Sequence, residues 1–268
     1  MTSTLGQTSR MQTERHLDIL RTQGELVASL PADSLEAVVP SIPDWTVERV
    51  VRHLGKIHQW VAATFAVDPT GGPADTRELA GIPKGPDCLP AYRDALDVLL
   101  DAFAQRDAST PTASFIGQAV DTAWWARRQA QEVCVHRTDA QDAVHTAGGA
   151  APDGIPADAA ADGIDEWARL FLGTRWNQRN GDFPEPLVGR TVHIHGTDEP
   201  APTDGAEWLL TFGTDGLDVE AAHAKGDVAL RGPAADLLLV LWRRRPLTLI
   251  DVVGDAAVAD QLLDVARF

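Results

Sequence analysis

Glu132 and His136 stand four residues apart in the run Arg127-Arg128-Gln129-Ala130-Gln131-Glu132-Val133-Cys134-Val135-His136. On an α-helix this spacing places a carboxylate and an imidazole one turn apart on the same face. There they can share one metal ion or pair with each other. At about 100° per residue the same face also carries Trp125, Arg128, Val135, Asp139 and Ala143, while Gln129, Val133, Cys134 and Arg137 point elsewhere. Trp125, Val135 and Ala143 suit a bundle core. Arg128, Glu132, His136 and Asp139 do not, because burying ionisable groups is costly unless they pair or hold a metal. An acid four residues before a histidine is also what chance supplies in so acidic a chain. Spacing alone therefore leaves a surface ion pair and a metal site both open.

A third ligand would have to come from another element. His53 and His58 lie on an expected second helix, His58 inside its apolar stripe and His53 at the edge, and the pattern does not choose between them. His193 and His195 alternate on an expected strand and share a face. With no third partner in sight they read as a polar pair and not as a second metal site. Arg243-Arg244-Arg245 closes an expected helix, where cations suit the dipole, and one of them is a candidate for a substrate carboxylate.

The elements that would position these groups can be read from periodicity. Leu17, Leu20, Gly24, Val27 and Leu30 mark a first helix over 11–30, stopped by Pro31. A second helix opens after Thr46, a good N-cap, with Glu48 in its first turn and a stripe of Val47, Val50, Val51, Leu54, Ile57, Val61 and Phe65. Residues 69–88 are rich in Gly and Pro and long enough to be a crossover. A third helix is expected over 89–106 and a fourth over 121–144. Four helices with one long middle connection imply a four-helix bundle whose second and third helices run parallel. A Gly/Ala/Pro/Asp-rich linker follows at 146–158, then a helix with Ile164, Trp167, Leu170 and Phe171. The period then switches to two. Strands are expected at 191–195, 207–212, 217–220, 227–231 and 247–253, with helices at 233–245 and 255–266. The chain divides into 1–150, the bundle, and 151–268, a smaller α+β domain with a mostly antiparallel sheet.

Composition narrows the functions. The 268 residues carry a formal charge of −16, which disfavours nucleic acid and a polybasic membrane dock. The longest apolar run, Leu237 to Trp242, is far short of the roughly 20 residues that span a bilayer. The N-terminus lacks the apolar core of a secretory signal, so a cytoplasmic protein is expected, as a monomer or small homo-oligomer. Two cysteines, Cys88 and Cys134, without CxxC spacing exclude a disulfide framework and a cysteine-rich zinc cluster. Any metal must be held by His, Asp or Glu.

The segment Pro43-Asp44-Trp45-Thr46-Val47 with His53-Leu54 resembles the second-helix signature of DinB-like bundle proteins, in particular the mycothiol-dependent maleylpyruvate isomerase family of actinobacteria. In that signature a Trp-Thr pair opens the helix and a metal-binding His lies eight residues after the Trp, which selects His53 over His58. The run from Arg127 to Ala140 resembles the family's fourth-helix motif, with Gln131 where the family often has His. Residues 191–195, 227–233 and 236–246 resemble its second domain, and Val253-Gly254-Asp255 with Leu262-Leu263 is similar to sterol-carrier-like folds. The resemblance covers nearly the whole chain. It implies a zinc-binding four-helix bundle followed by an α+β domain, with His53, Glu132 and His136 as ligands. It also implies an isomerase or S-transferase that uses mycothiol as thiol cofactor on a small electrophile.

Two His and one Glu leave Zn²⁺ a position open, and zinc favours the thiolate of a bound thiol. Neither cysteine is placed to supply that sulfur: Cys134 points about 160° away on the wheel and Cys88 falls in the long loop. On this reading Asp139 orients the His136 imidazole. Arg128 is either an anion contact or an ion-pair partner. Trp60, seven residues after His53, is a candidate wall for the cofactor, and Arg243 a candidate contact to it. The other class of function open to the sequence is a non-catalytic protein that binds a small ligand, with the metal structural or absent.

Overall fold

In the computed structural model residues 12–267 are described, apart from residue 204. They form two compact units, Gln12–Asp153 and residues 154–267. The polar N-terminal segment and the helix start expected at Met11 lie outside the described residues.

In the first unit α1 (Thr13–Ala28) buries Ile19, Leu20, Gln23, Gly24 and Val27 along one stripe. α2 (Val47–Thr64) starts where Thr46 predicts, its hydroxyl accepting from the Arg49 amide at 3.3 Å. α3 spans Cys88–Ala104. A two-residue-per-strand hairpin follows, β1 (Pro111–Thr112) with β2 (Val120–Asp121), too short to leave any alternation in the sequence. Asp121 then caps α4 (Thr122–Thr146), accepting from the Trp124 amide at 2.7 Å.

Side-chain pairings fix the helix directions. Gly24 faces Leu96, and Ala28 accepts from Arg93, so α1 and α3 are antiparallel. Gly55 faces Tyr92 while Phe65 packs on Phe103, so α2 and α3 are parallel. His53 lies by Glu132 and Trp60 by Trp125, so α2 and α4 are antiparallel. Two parallel neighbours need a return path, and the Gly/Pro-rich connection provides it. Trp60 donates to the Ala74 carbonyl, Gln59 bonds Gly81, Arg52 donates to Ile82, and Glu48 accepts from Gly85, so the segment runs back along α2. Gly55 is required on this path: a Cβ there would lie 2.7 Å from Ile82 Cγ1. The crossover ends one residue earlier than the sequence pattern indicates. Cys88 is the first residue of α3 and fully buried, not part of the loop.

α4 departs from a one-faced helix. Gln129, Val133, Cys134 and Arg137, on the faces expected to point away, are buried as well. A polar helix can be interior because its polar groups find partners. Gln129 Oε1 lies 3.0 Å from His58 Nδ1, and Arg137 donates to Gln23 and Gln141.

His58 is fully buried, and its Nε2 has no hydrogen-bond partner among the described residues. Burial, only partly countered by Gln129 and Glu132, lowers its pKa from 6.5 to about 4. Between those values the unfolded chain binds the proton and the folded chain does not, so stability is complete above 6.5 and falls as pH drops toward 4. The full loss through this group is about 3 kcal/mol. Denaturant unfolding of metal-free protein across this window is expected to show that slope, and a His58→Leu variant is expected to lack it.

The second unit begins with α5 (Ala157–Glu166). The helix continues without a break through a π-helical run over Trp167–Arg175, which periodicity does not foretell, into α6 (Trp176–Asn180). Five strands follow: β3 (Thr191–Gly196), β4 (Glu207–Gly213), β5 (Gly216–Glu220), β6 (Val228–Gly232) and β7 (Asp251–Gly254). Their order is β5-β4-β3-β6-β7, antiparallel except for the parallel β3–β6 pair. Alternation sends Val192, Ile194, Leu210, Phe212, Val228 and Leu230 into the core. α7 (Ala234–Leu241) and α8 (Ala256–Val265) pack on β6. Two expectations are corrected here. The strand expected over 247–253 covers only Asp251–Gly254, after a 3-10 turn at Leu247–Leu249. The helix expected to run to Arg245 stops at Leu241, and Arg243 adopts a left-handed φ of 60° that closes the turn. Among the described residues no helix is long and apolar enough to cross a membrane.

Candidate metal centre

α2 and α4, antiparallel and in contact, bring His53 against Glu132 and His136. His53 Nε2 lies 2.9 Å from Glu132 Oε1, and His136 Nε2 lies 3.5 Å from the same oxygen. One ligand atom from each of the three residues falls within 4.8 Å of the others. The side chains are 31%, 18% and 13% exposed, so the cluster is only partly sheltered from solvent.

The surroundings bias each group toward ligation. His136 Nδ1 is 2.9 Å from Asp139 Oδ2. That carboxylate, fully buried, also accepts from Ser41 Oγ at 3.3 Å. A proton held on Nδ1 leaves the Nε2 lone pair aimed at the cluster. Arg128 Nη2 donates to Glu132 Oε2 at 2.5 Å, which makes it an ion-pair partner. Burial alone would push the Glu132 carboxyl up. The Arg128 guanidinium, followed by the His53 hydrogen bond, outweighs it and holds the carboxyl well below the usual range. The Trp45 indole stacks on the His136 ring, centroids 5.7 Å apart and planes 8° from parallel, and meets His53 edge-on at 5.1 Å. Arg49 covers Trp45 at 4.9 Å. Nothing in the spacing singles out Ser41 or the ring contacts of Trp45, since both depend on where the 31–46 segment folds back.

Five of the seven residues named from sequence therefore converge: His53, Glu132, His136, Arg128 and Asp139. Trp60 does not join them. It lies about 10 Å along the α2 axis from His53, with its indole nitrogen on Ala74 and its ring against Phe115 and Trp125. Arg243 belongs to the other unit, where it donates to the Leu263 carbonyl and lies 3.8 Å from Asp264. The pair His193/His195 also has more company than expected: Glu207 and His223 complete a second cluster.

The donor set of the bundle, two imidazole nitrogens and one carboxylate oxygen, fits a zinc-class divalent ion with a position to spare. A helical bundle with this cluster, followed by an α+β unit, defines a two-domain protein with candidate metal ligands between facing helices. Residues 17–141 match the mycothiol maleylpyruvate isomerase N-terminal domain, and residues 158–261 match the C-terminal domain of the same enzyme. The chain belongs to the mycothiol-dependent maleylpyruvate isomerase family. Two solved structures are similar over almost the whole chain. A crystal structure of a histidine-to-alanine mutant of the mycothiol-dependent maleylpyruvate isomerase aligns with a TM-score of 0.60 and 14% identity, over 90% of this chain and 93% of that one. A second crystal structure of that isomerase aligns with a TM-score of 0.56 and 14% identity, over 87% and 89%. At this identity the likeness carries the fold. No curated protein matches the sequence.

Proposed function

We propose that the protein is a metal-dependent enzyme that takes mycothiol as its thiol and acts on a small electrophile, by cis-trans isomerisation of a maleylpyruvate-type acid or by thiol transfer. The observation that carries this reading is the convergence of His53, Glu132 and His136 in a chain of this family; three such ligands would leave a tetrahedral ion one position for an outside donor. A zinc-class ion held by these three residues supplies Lewis acidity that favours the thiolate form of a bound thiol.

The chain's own residues do the rest. Asp139 fixes the His136 tautomer, and Arg128 keeps Glu132 ionised while occupying the oxygen that faces away from His53. Trp45 limits how the two rings can turn. The sulfur must come from outside. Cys88 is buried, and burial together with the nearby Glu48 carboxylate pushes its thiol up to about 11, so it stays protonated at neutral pH. Cys134 is buried on α4.

Zinc-loaded protein incubated with mycothiol and a panel of electrophiles that includes maleylpyruvate, read by mass spectrometry, tests the proposal. An isomerised product or a stable thiol adduct is expected only when metal and mycothiol are both present. Loaded protein that binds mycothiol but converts nothing overturns the enzyme reading in favour of a binding protein. Protein that binds no thiol overturns the mycothiol reading and leaves the non-catalytic small-ligand binder.

A further inference from the structure

Four side chains of the second unit meet on the sheet face that Val192 and Ile194 leave free. His193 and His195 alternate on β3, and Glu207 stands directly opposite His195 on β4. His223 arrives from the segment 221–227 that links β5 to β6. One potential ligand atom from each of the four lies within 4.8 Å of the others. All three rings turn a nitrogen to one oxygen, Glu207 Oε2: His193 Nε2 at 3.0 Å, His195 Nδ1 at 3.1 Å and His223 Nδ1 at 2.5 Å. One carboxylate oxygen has about two lone pairs, so it cannot accept well from three ring N–H groups at once. Nitrogens that instead turn lone pairs toward the oxygen repel it. A cation among the four resolves both conflicts.

We propose that His193, His195, Glu207 and His223 form a second divalent-metal site of the zinc class, which clamps the segment 221–227 to the sheet. Three imidazoles and one carboxylate fill a tetrahedral shell, the arrangement of a closed structural site, in contrast with the open position left by the three ligands of the bundle. Contacts at Gly226 and Asp227 already hold the end of the segment. Gly226 packs so closely on β3 that a Cβ would lie 2.9 Å from the His193 backbone nitrogen. Asp227 accepts from both the amide and the hydroxyl of Thr191, at 2.7 and 2.8 Å. His223 is therefore brought to the cluster by a strand pairing that needs no ion, and only its ring, 78% exposed, has to be ordered. His193 is 7% exposed. On loading, the three nitrogens that face Glu207 present lone pairs, and any proton they carried leaves to solvent or to the other ring nitrogen.

The experiment is a Zn²⁺ titration of the full chain after chelator treatment, with bound metal counted by elemental analysis. Wild type is expected to bind two equivalents. His223→Ala, at an exposed position where folding is safe, and Glu207→Gln are each expected to lose one. His53→Ala is expected to keep the C-terminal equivalent, so this site is scored apart from the bundle site. In the His53→Ala background zinc is also expected to slow tryptic cleavage after the exposed Lys225, and His223→Ala is expected to remove that protection. If His223→Ala and Glu207→Gln bind as much zinc as wild type, or if His53→Ala binds none, the proposal is wrong.

Discussion

His53→Ala is expected to lose the bundle metal and, with it, all mycothiol-dependent turnover. Removing a group that only orients a ligand typically lowers metal affinity 10–100-fold, and His53 is one of the three candidate ligands of the bundle cluster, so the loss is expected to exceed that range. Fold is not at stake: the His53 side chain is 31% exposed and makes its short contact to Glu132, which keeps Arg128 as a partner. Asp139→Asn is the graded comparison. The amide can no longer hold the His136 proton as a carboxylate does, and affinity is expected to fall by roughly 10–100-fold while some turnover survives. Zinc affinity by competition with a chromophoric chelator, measured beside turnover with maleylpyruvate and mycothiol, checks both. A His53→Ala protein that still binds as many zinc equivalents as wild type, with wild-type affinity, would remove the three-ligand assignment altogether.

The parts of the bundle that are local in sequence were legible in it. Thr46 caps a helix through a contact three residues away, and a contact of that range is visible without knowing the fold. The parallel α2–α3 pair was also legible, because a long Gly/Pro-rich segment has few other uses. α4 was only half legible. Its burial rests on pairings such as Gln129 with His58 and Arg137 with Gln23, which join residues 71 and 114 positions apart. A helix whose interior groups are polar and paired leaves no apolar stripe, so periodicity places them on the outside. The three candidate ligands could be ranked by resemblance but not by spacing, since what separates His53 from His58 is which faces Glu132 and which faces Gln129.

The second unit repeats that lesson on a sheet. The period-two runs located most strands, but the pairing order β5-β4-β3-β6-β7 is a long-range property. Register alone sets Glu207 opposite His195, and the β6 pairing alone returns the 221–227 segment to β3. His193 and His195 therefore read as an isolated pair until the strands were paired. The π-helical run over Trp167–Arg175 had no sequence signal, because its apolar residues fit an α-helix nearly as well.

Arg137→Ala is expected to be the most destabilising single change in the bundle. The side chain is fully buried, yet it carries a guanidinium. Burial lowers its pKa, opposed by Cys134, Asp153 and Asp142, and arginine remains charged under any ordinary condition. The cost of that buried charge is offset by bonds from Nε to Gln23 Oε1 at 2.9 Å and from Nη1 to Gln141 Oε1 at 2.8 Å and the Asp153 carbonyl at 2.5 Å. These partners lie on α1, on α4 and at the end of the unit, so the one side chain ties three stretches of chain together. Truncation leaves a cavity and strips the buried Gln23 amide, together with the less buried Gln141 and Asp153 acceptors, of a donor, a loss of about 3–5 kcal/mol. For a unit of this size that lowers the midpoint of thermal unfolding by roughly 10 °C or more. Arg137→Met separates the two contributions. It keeps most of the packing volume and, like alanine, deprives Gln23 and the Asp153 carbonyl of their donor, so its loss is expected to be clearly smaller than that of alanine. Equal losses for the two variants in denaturant unfolding would mean that the hydrogen bonds, and not the packing, hold α1 to α4 at this point.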